Sequence, residues 1–159
     1  MEVTPEVIIH AARQGRADVL EEIAKTGTSL DVRDEKGYTP LIIACYNNRI
    51  EAARFLLANG ADVNEADFGG NTALMGAAFK GYADIAELLI SQGADMDLQH
   101  GNGGTALMFA AMFGRNDLLE LLARQGANRQ VKDARGLSVY DIAAQQGNEE
   151  AINILNQLG

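Results

Sequence analysis

The sequence predicts an all-α fold, a solenoid of helix-turn-helix units joined by β-hairpin-like loops. Three observations carry that expectation. First, four sets of residues recur every 33 positions: Gly37, Gly70, Gly103 and Gly136; Thr39, Thr72, Thr105 and Ser138; Gly15, Gly81, Gly114 and Gly147, with Asn48 in the second place; and Gly27, Gly60, Gly93, Gly126 and Gly159. A fixed period of that length marks an array of supersecondary units. Second, apolar residues between the ladders fall at i, i+3 and i+4, as Ile85, Leu88 and Leu89 do, which gives one buried helical face. Third, small pairs (Ala77-Ala78, Ala110-Ala111, Ala143-Ala144) return at the place of Ala44-Cys45 and let neighbouring helices approach closely.

The stretch from Asp67 to Gln99 serves as the template for one unit. It opens with a turn, Asp67-Phe68-Gly69-Gly70-Asn71. A first helix follows, started in the preceding unit by Thr39 as N-cap and Pro40 at the first helical position. The Gly or Asn of the third ladder breaks that helix. A second helix then runs from Ile50 to Ala58 in one unit and from Asp84 to Ser91 in the next. Gly60, Gly93 and Gly126 close these second helices at C′, where a positive φ costs glycine little. Ala61-Asp62-Val63-Asn64 leads into the following turn.

Two of these segments carry a family likeness. Thr39-Pro40-Leu41-Ile42 and Gly60-Ala61-Asp62-Val63-Asn64 resemble the TPLH and GADVN signatures of the ankyrin repeat, and the resemblance covers essentially the whole chain. It implies one ankyrin-repeat domain over residues 1–159. Residues 1–33 would form an N-terminal capping repeat, 34–66, 67–99 and 100–132 internal repeats, and 133–159 a C-terminal capping repeat. The signature histidine is replaced by Ile42, Met75 and Met108, so burial and dispersion must supply the cohesion it usually adds. The first unit starts its helix near Glu6 and reads Ile9-His10-Ala11-Ala12, with no Thr-Pro start in register. The last helix sets Asn153, Asn156 and Gln157 outside the apolar set Ile152, Ile154, Leu155 and Leu158. End units need a polar outer face because nothing stacks on them. Both ends therefore read as caps, and the chain as a complete small array.

Composition narrows the function classes. At 159 residues, 47% hydrophobic and 22% charged, the chain suits one globular domain with a sizeable core and does not suit disorder. A net charge of −9 and a pI near 4.6 argue against nucleic acid, whose phosphates reward clustered Lys and Arg. The acidity chiefly favours solubility. Apolar runs fall far short of a bilayer span, and residues 1–30 hold no secretory h-region. A single cysteine, Cys45, fits a reducing compartment. A soluble, cytoplasmic, monomeric protein is expected, with no membrane insertion.

Catalysis finds little support in the inventory. His10 and His100 lie three units apart with no Cys or Ser nucleophile in register, and units of such an array contact only their neighbours. Cys45 takes the place of a recurrent alanine and is expected to be a buried thiol. No metal-ligand spacing occurs, so neither a metal nor a cofactor is expected. Asp62, Asp95 and Asp97 recur with the repeat and are expected to hydrogen-bond turn backbones. His100-Gly101-Asn102-Gly103-Gly104 lacks the preceding strand and following Lys of a phosphate loop and reads as a hairpin tip.

Binding is placed on the concave face of the array, built from hairpin tips and the outer positions of first helices. Ankyrin proteins that this chain resembles carry their variable contact residues there. Of the nine aromatics (four Tyr, five Phe), five fall on these positions. The partner-binding residues expected from this are Tyr38, Tyr46, Asn47, Phe68, Asn71, Phe79, Lys80, Met112 and Phe113. Large apolar groups facing solvent mark interaction sites, and aromatics and Met dominate interface energies. The competing expectation is that Phe79, Met112 or Phe113 packs inward over a floor of Met75 and Met108. Phe55 and Phe109 are expected in the core. The function implied is a non-catalytic adaptor that binds another protein. A second possibility follows from likeness to small bacterial ankyrin proteins associated with catalases: an accessory or inhibitor of a specific enzyme.

Overall fold

The computed structural model describes residues 2–159. Among them are ten helices: α1 (Pro5–Gln14), α2 (Ala17–Lys25), α3 (Pro40–Tyr46), α4 (Ile50–Ala58), α5 (Ala73–Lys80), α6 (Ala83–Ser91), α7 (Ala106–Met112), α8 (Asn116–Arg124), α9 (Val139–Gln145) and α10 (Glu149–Leu158). The described residues contain no strand, and their only β feature is an isolated antiparallel bridge between Ala66 and Thr72. The all-helical repeat fold read from the ladders is the fold observed. The chain forms two compact units, Met1–Ala73 and Leu74–Gly159.

In the first unit α1 packs on α3 and α2 on α4, so first helices stack on first helices and second on second. Ala11, Ala12, Ala44 and Cys45 are fully or almost fully buried, which is what the small-pair ladder requires. The Thr39 hydroxyl accepts the Ile42 N–H at 3.2 Å and caps α3, whose N1 position holds Pro40. Helix α1 begins at Pro5 after Thr4. The Thr-Pro start absent in register is thus present two residues ahead of it, and it lengthens the first helix of this unit. Asn48 takes φ 58 where the other units have glycine, and it is the only described non-glycine residue with positive φ. Asparagine is among the few residues that adopt this conformation cheaply.

The second unit repeats the plan. Helix α7 packs on α8 and α9, while α8 also meets α6 and α10. Its interior includes Leu89, Leu119, Leu122 and Leu155, each at 0% exposure. Thr105 caps α7 through the Met108 N–H, and Ser138 forms a capping box with Asp141 at α9. In the last repeat Ala143 is buried but Ala144 is exposed, since no further helix packs on it. Only Leu155 of the apolar set in α10 is fully buried; Ile152, Ile154 and Leu158 stay half-buried.

The hairpins owe their shape to one acceptor each. The Oδ1 atoms of Asp34, Asp67 and Asp133 each accept two N–H groups of their own turn at 2.8–3.0 Å. His100 stands at the same repeat position and accepts the Gly104 N–H through Nδ1 at 2.9 Å. Asp62 and Asp95 bond turn backbones as expected, to the Asn64 and Asp97 N–H groups; Asp97 reaches the Asn128 N–H, 31 residues on.

The second helices collect negative charge at their N-termini. Asp18, Glu51, Asp84 and Asp117 stand in the first turns of α2, α4, α6 and α8. There they complement the positive end of the helix dipole. These four exposed carboxylates, of the chain's 22 acidic residues, thus serve the second helices.

Cys45 is fully buried, and burial pushes its thiol pKa up to about 12. A thiol reagent at pH 8 is expected to leave Cys45 unmodified in the native protein and to label it on unfolding, because the thiolate is the reactive form. Rapid labelling of the folded chain would contradict its placement.

Candidate functional site

In the first unit the expected residues sit on and around the hairpin 34–38, the turn after α3 and the hairpin 67–71. Phe68 is the most exposed large hydrophobic, at 73%, and Tyr46 is exposed at 42%. Tyr38, Asn47 and Asn71 are half-buried. The two asparagines serve the fold: Asn47 donates its amide to the Ile43 carbonyl at 2.8 Å, and Asn71 points its amide at both Asp67 oxygens at 3.3 Å.

Phe68 is exposed yet held. Its N–H donates to the Lys36 carbonyl at 3.1 Å. Its ring lies so close over Gly37 that a Cβ there would stand 2.7 Å from a ring carbon. The Arg33 guanidinium lies 5.9 Å from the ring centroid. Arg33 is itself fixed, since Nη1 donates to the Gly37 and Ala66 carbonyls at 2.6 and 2.7 Å and Nη2 pairs with Glu65. A side chain ordered before binding loses less entropy on binding.

In the second unit Phe79 and Phe113 meet edge to face, with centroids 4.6 Å apart and planes at 70°. Such a pair adds about 0.5–1.5 kcal/mol beyond burial. Phe113 remains 42% exposed, while Phe79, Lys80 and Met112 are half-buried. Met75 and Met108 are buried. Phe79 and Phe113 thus pack on each other, and Phe113 still faces solvent.

Met112 also lines a groove of about 510 Å3 between the hairpins 100–104 and 133–137. Met108, Phe109 and Ile142 form its floor, with His100, Asn102, Asp133 and Arg135 around the rim. Phe109, expected in the core, is half-buried and lines this groove, its ring 5.0 Å from that of His100 at 79°. Phe55 is likewise half-buried. The groove itself went unread in the sequence. Its signals are Gly104, where a Cβ would stand 3.0 Å from His100 Cε1, and His100 in the place of an aspartate.

The Asp133 carboxyl sits below its ordinary value of 3.8, chiefly because it accepts the Leu137 N–H, with Arg135 adding to the effect. A depressed carboxylate stabilises the fold above its unfolded pKa, and the contribution is lost as pH falls through the folded value.

A cavity of about 440 Å3 in the first unit, bounded by Leu30, Pro40, Leu56 and Asp62, touches none of the expected binding residues. No group of three or more metal-ligating side chains could hold an ion among the described residues. No described helix is long and apolar enough to cross a membrane.

The model of the family "Ankyrin repeats (3 copies)" matches residues 8–100 and 74–159. Two curated proteins similar to part of the chain are "Ankyrin repeat and SOCS box protein 3" of Bos taurus, 43% identical over 47 residues, and its Homo sapiens counterpart, 40% identical over 47 residues. Each alignment covers 30% of this chain and 9% of the relative, so the chain spans less than a tenth of those proteins. Since the family model matches nearly the whole chain, the chain belongs to the ankyrin-repeat family.

Proposed function

We propose that the chain is a non-catalytic adaptor that holds another protein on the face made by hairpin tips and first helices. Ankyrin repeats are in general protein–protein interaction modules, and the finer reading rests on one observation. The exposed large hydrophobics among the described residues are Tyr46, Phe68 and Phe113, and each lies on a hairpin tip or at the end of a first helix. Second helices instead present carboxylates. Tyr38, Phe79, Lys80 and Met112 extend the two patches, while Asn47 and Asn71 support them from within. The outer repeats, 1–33 and 133–159, act as caps.

The test is affinity capture from the native cell extract with the wild type and with Tyr46→Ala, Phe79→Ala. Truncating buried interface aromatics costs about 2 kcal/mol or more each. The double variant should lose its partner while remaining cooperatively folded at the temperature of capture, its melting point lowered by the loss of the Phe79–Phe113 pair. Equal capture by both proteins would refute the assignment. A role in modulating an enzyme would use the same face, and an activity assay on the captured partner separates it from tethering.

A further inference from the structure

The groove of residues 74–159 selects by charge as well as by apolar character. Its floor of Met108, Phe109, Met112 and Ile142 is apolar. Thioether side chains adapt readily to an incoming group, so the floor favours apolar matter of varied shape. Hydrogen-bond acceptors on the rim are largely engaged. Asp133 Oδ1 accepts the Arg135 and Leu137 N–H groups, and its Oδ2 accepts from Arg135 Nε and Nη2. The Gly103 and Lys132 carbonyls take the Gln99 amide, and the Asn102 carbonyl takes the Ala134 N–H. Donors remain. Arg135 uses Nε and Nη2 on Asp133, which leaves Nη1 for a ligand. His100 accepts through Nδ1, so Nε2 is the ring's N–H donor.

Cations extend the same face past Met112. Lys80 follows Phe79 at the end of α5. Arg115, two residues after Phe113, donates from Nε to the Phe79 carbonyl at 3.1 Å. Two acids of this unit stand on the face, Asp133 paired with Arg135 and Asp141 in the first turn of α9; the second helices hold others, Asp84 and Glu87 on α6, Asp117 and Glu120 on α8, Glu149 and Glu150 on α10. Lys80, Arg115 and Arg135 outnumber Asp133 and Asp141 by one, so the face departs in sign from the chain's net charge of −9.

We propose that this face binds an acidic segment of a partner protein, with an apolar side chain seated over Met108 and Met112 and carboxylates on Arg135, Lys80 and Arg115. The inference deepens the protein-binding reading above and rests on it. Apolar burial supplies affinity, while the charge-assisted bonds supply selection.

The test selects peptides from a displayed random library on the full chain, then follows one synthetic peptide by methionine-methyl NMR. Selected sequences should set Asp or Glu beside Leu, Phe or Met. The peptide should move the Met108 and Met112 methyl signals and leave that of Met96. Exchanging its carboxylates for lysines, or making Arg135→Gln in the protein, should weaken binding about tenfold, the size of one charge-assisted hydrogen bond. Lys80→Gln with Arg115→Gln should weaken it further and reduce its salt dependence. Melting curves confirm that the variants fold. Basic or uncharged selected sequences, unmoved methyl signals, or no selected sequence at all would overturn the inference. Such results leave the Tyr46 and Phe79 capture test standing, because that test is indifferent to the partner's charge.

Discussion

Gly103→Ala is expected to destabilise the chain by about 2–3 kcal/mol and Gly136→Ala by about 1 kcal/mol, although both glycines hold the same place in their turns. Their conformations are nearly identical, φ 85 and φ 82. The difference lies in what a methyl group would meet. At Gly136 nothing stands within 4 Å, so only the backbone strain is felt. At Gly103 a Cβ would stand 2.6 Å from the Ala134 nitrogen and 2.9 Å from Asp133 Cα, both backbone atoms. The hairpins cannot separate freely to admit it, because the Ala134 N–H donates to the Asn102 carbonyl at 2.9 Å. The Gln99 amide, bonded to Gly103 and Lys132, ties the same two hairpins. Those hairpins also wall the Met112 groove, so Gly103→Ala should disturb the groove along with stability. Urea unfolding of the two variants decides the matter, and equal losses would mean that the hairpins do not approach so closely.

Leu122→Ala is expected to cost about 3 kcal/mol, and Leu121→Ala about 1 kcal/mol. Leu122 has no exposed surface, while its neighbour in α8 is half-buried. Helix α8 packs against α6, α7 and α10, so a hole at Leu122 is felt by several elements and is not easily closed. Against a total stability of about 5–15 kcal/mol, the loss is a large share. Chemical denaturation reads both values. In an array stabilised by nearest-neighbour contacts, this loss should lower the midpoint far more than any exposed substitution on α8.

Most of the fold could be read from the sequence because the chemistry that builds it is local and repeated. Thr39 and Thr105 cap helices through an N–H three residues on, and Gly60, Gly93 and Gly126 close second helices in place. What escaped reading is non-local. Arg33 and Gln99 each reach a carbonyl 33 residues away, and Arg49 and Arg115 each reach one 36 residues back. These residues occur in alternate repeats, with Ala66 and Tyr82 between them, so no ladder of period 33 announces them. His100 escaped for a different reason, since it replaces an aspartate with another acceptor.

The exposed aromatics of the proposed face were partly legible. Tyr46, Phe68 and Phe113 stand out as large apolar groups at outer positions, and the structure leaves all three exposed. Asn47 and Asn71 share those positions but bond their own turns. Phe109 reads as core in the sequence, yet beside the His100 ring and the bare backbone of Gly104 it forms part of the floor of a groove. Spacing says which way a residue points; it does not say what a neighbouring hairpin leaves uncovered.

The most direct test of a partner face on hairpins and first helices is photocrosslinking. A photoreactive phenylalanine analogue is placed in turn at Tyr46, Phe68 and Phe113, and at Arg54, Glu87 and Glu120 on the second helices. All six positions are wholly or partly exposed, so access alone does not separate the sets. The captured partner should crosslink from the first three positions and not from the last three. Crosslinks confined to the second-helix positions would contradict it.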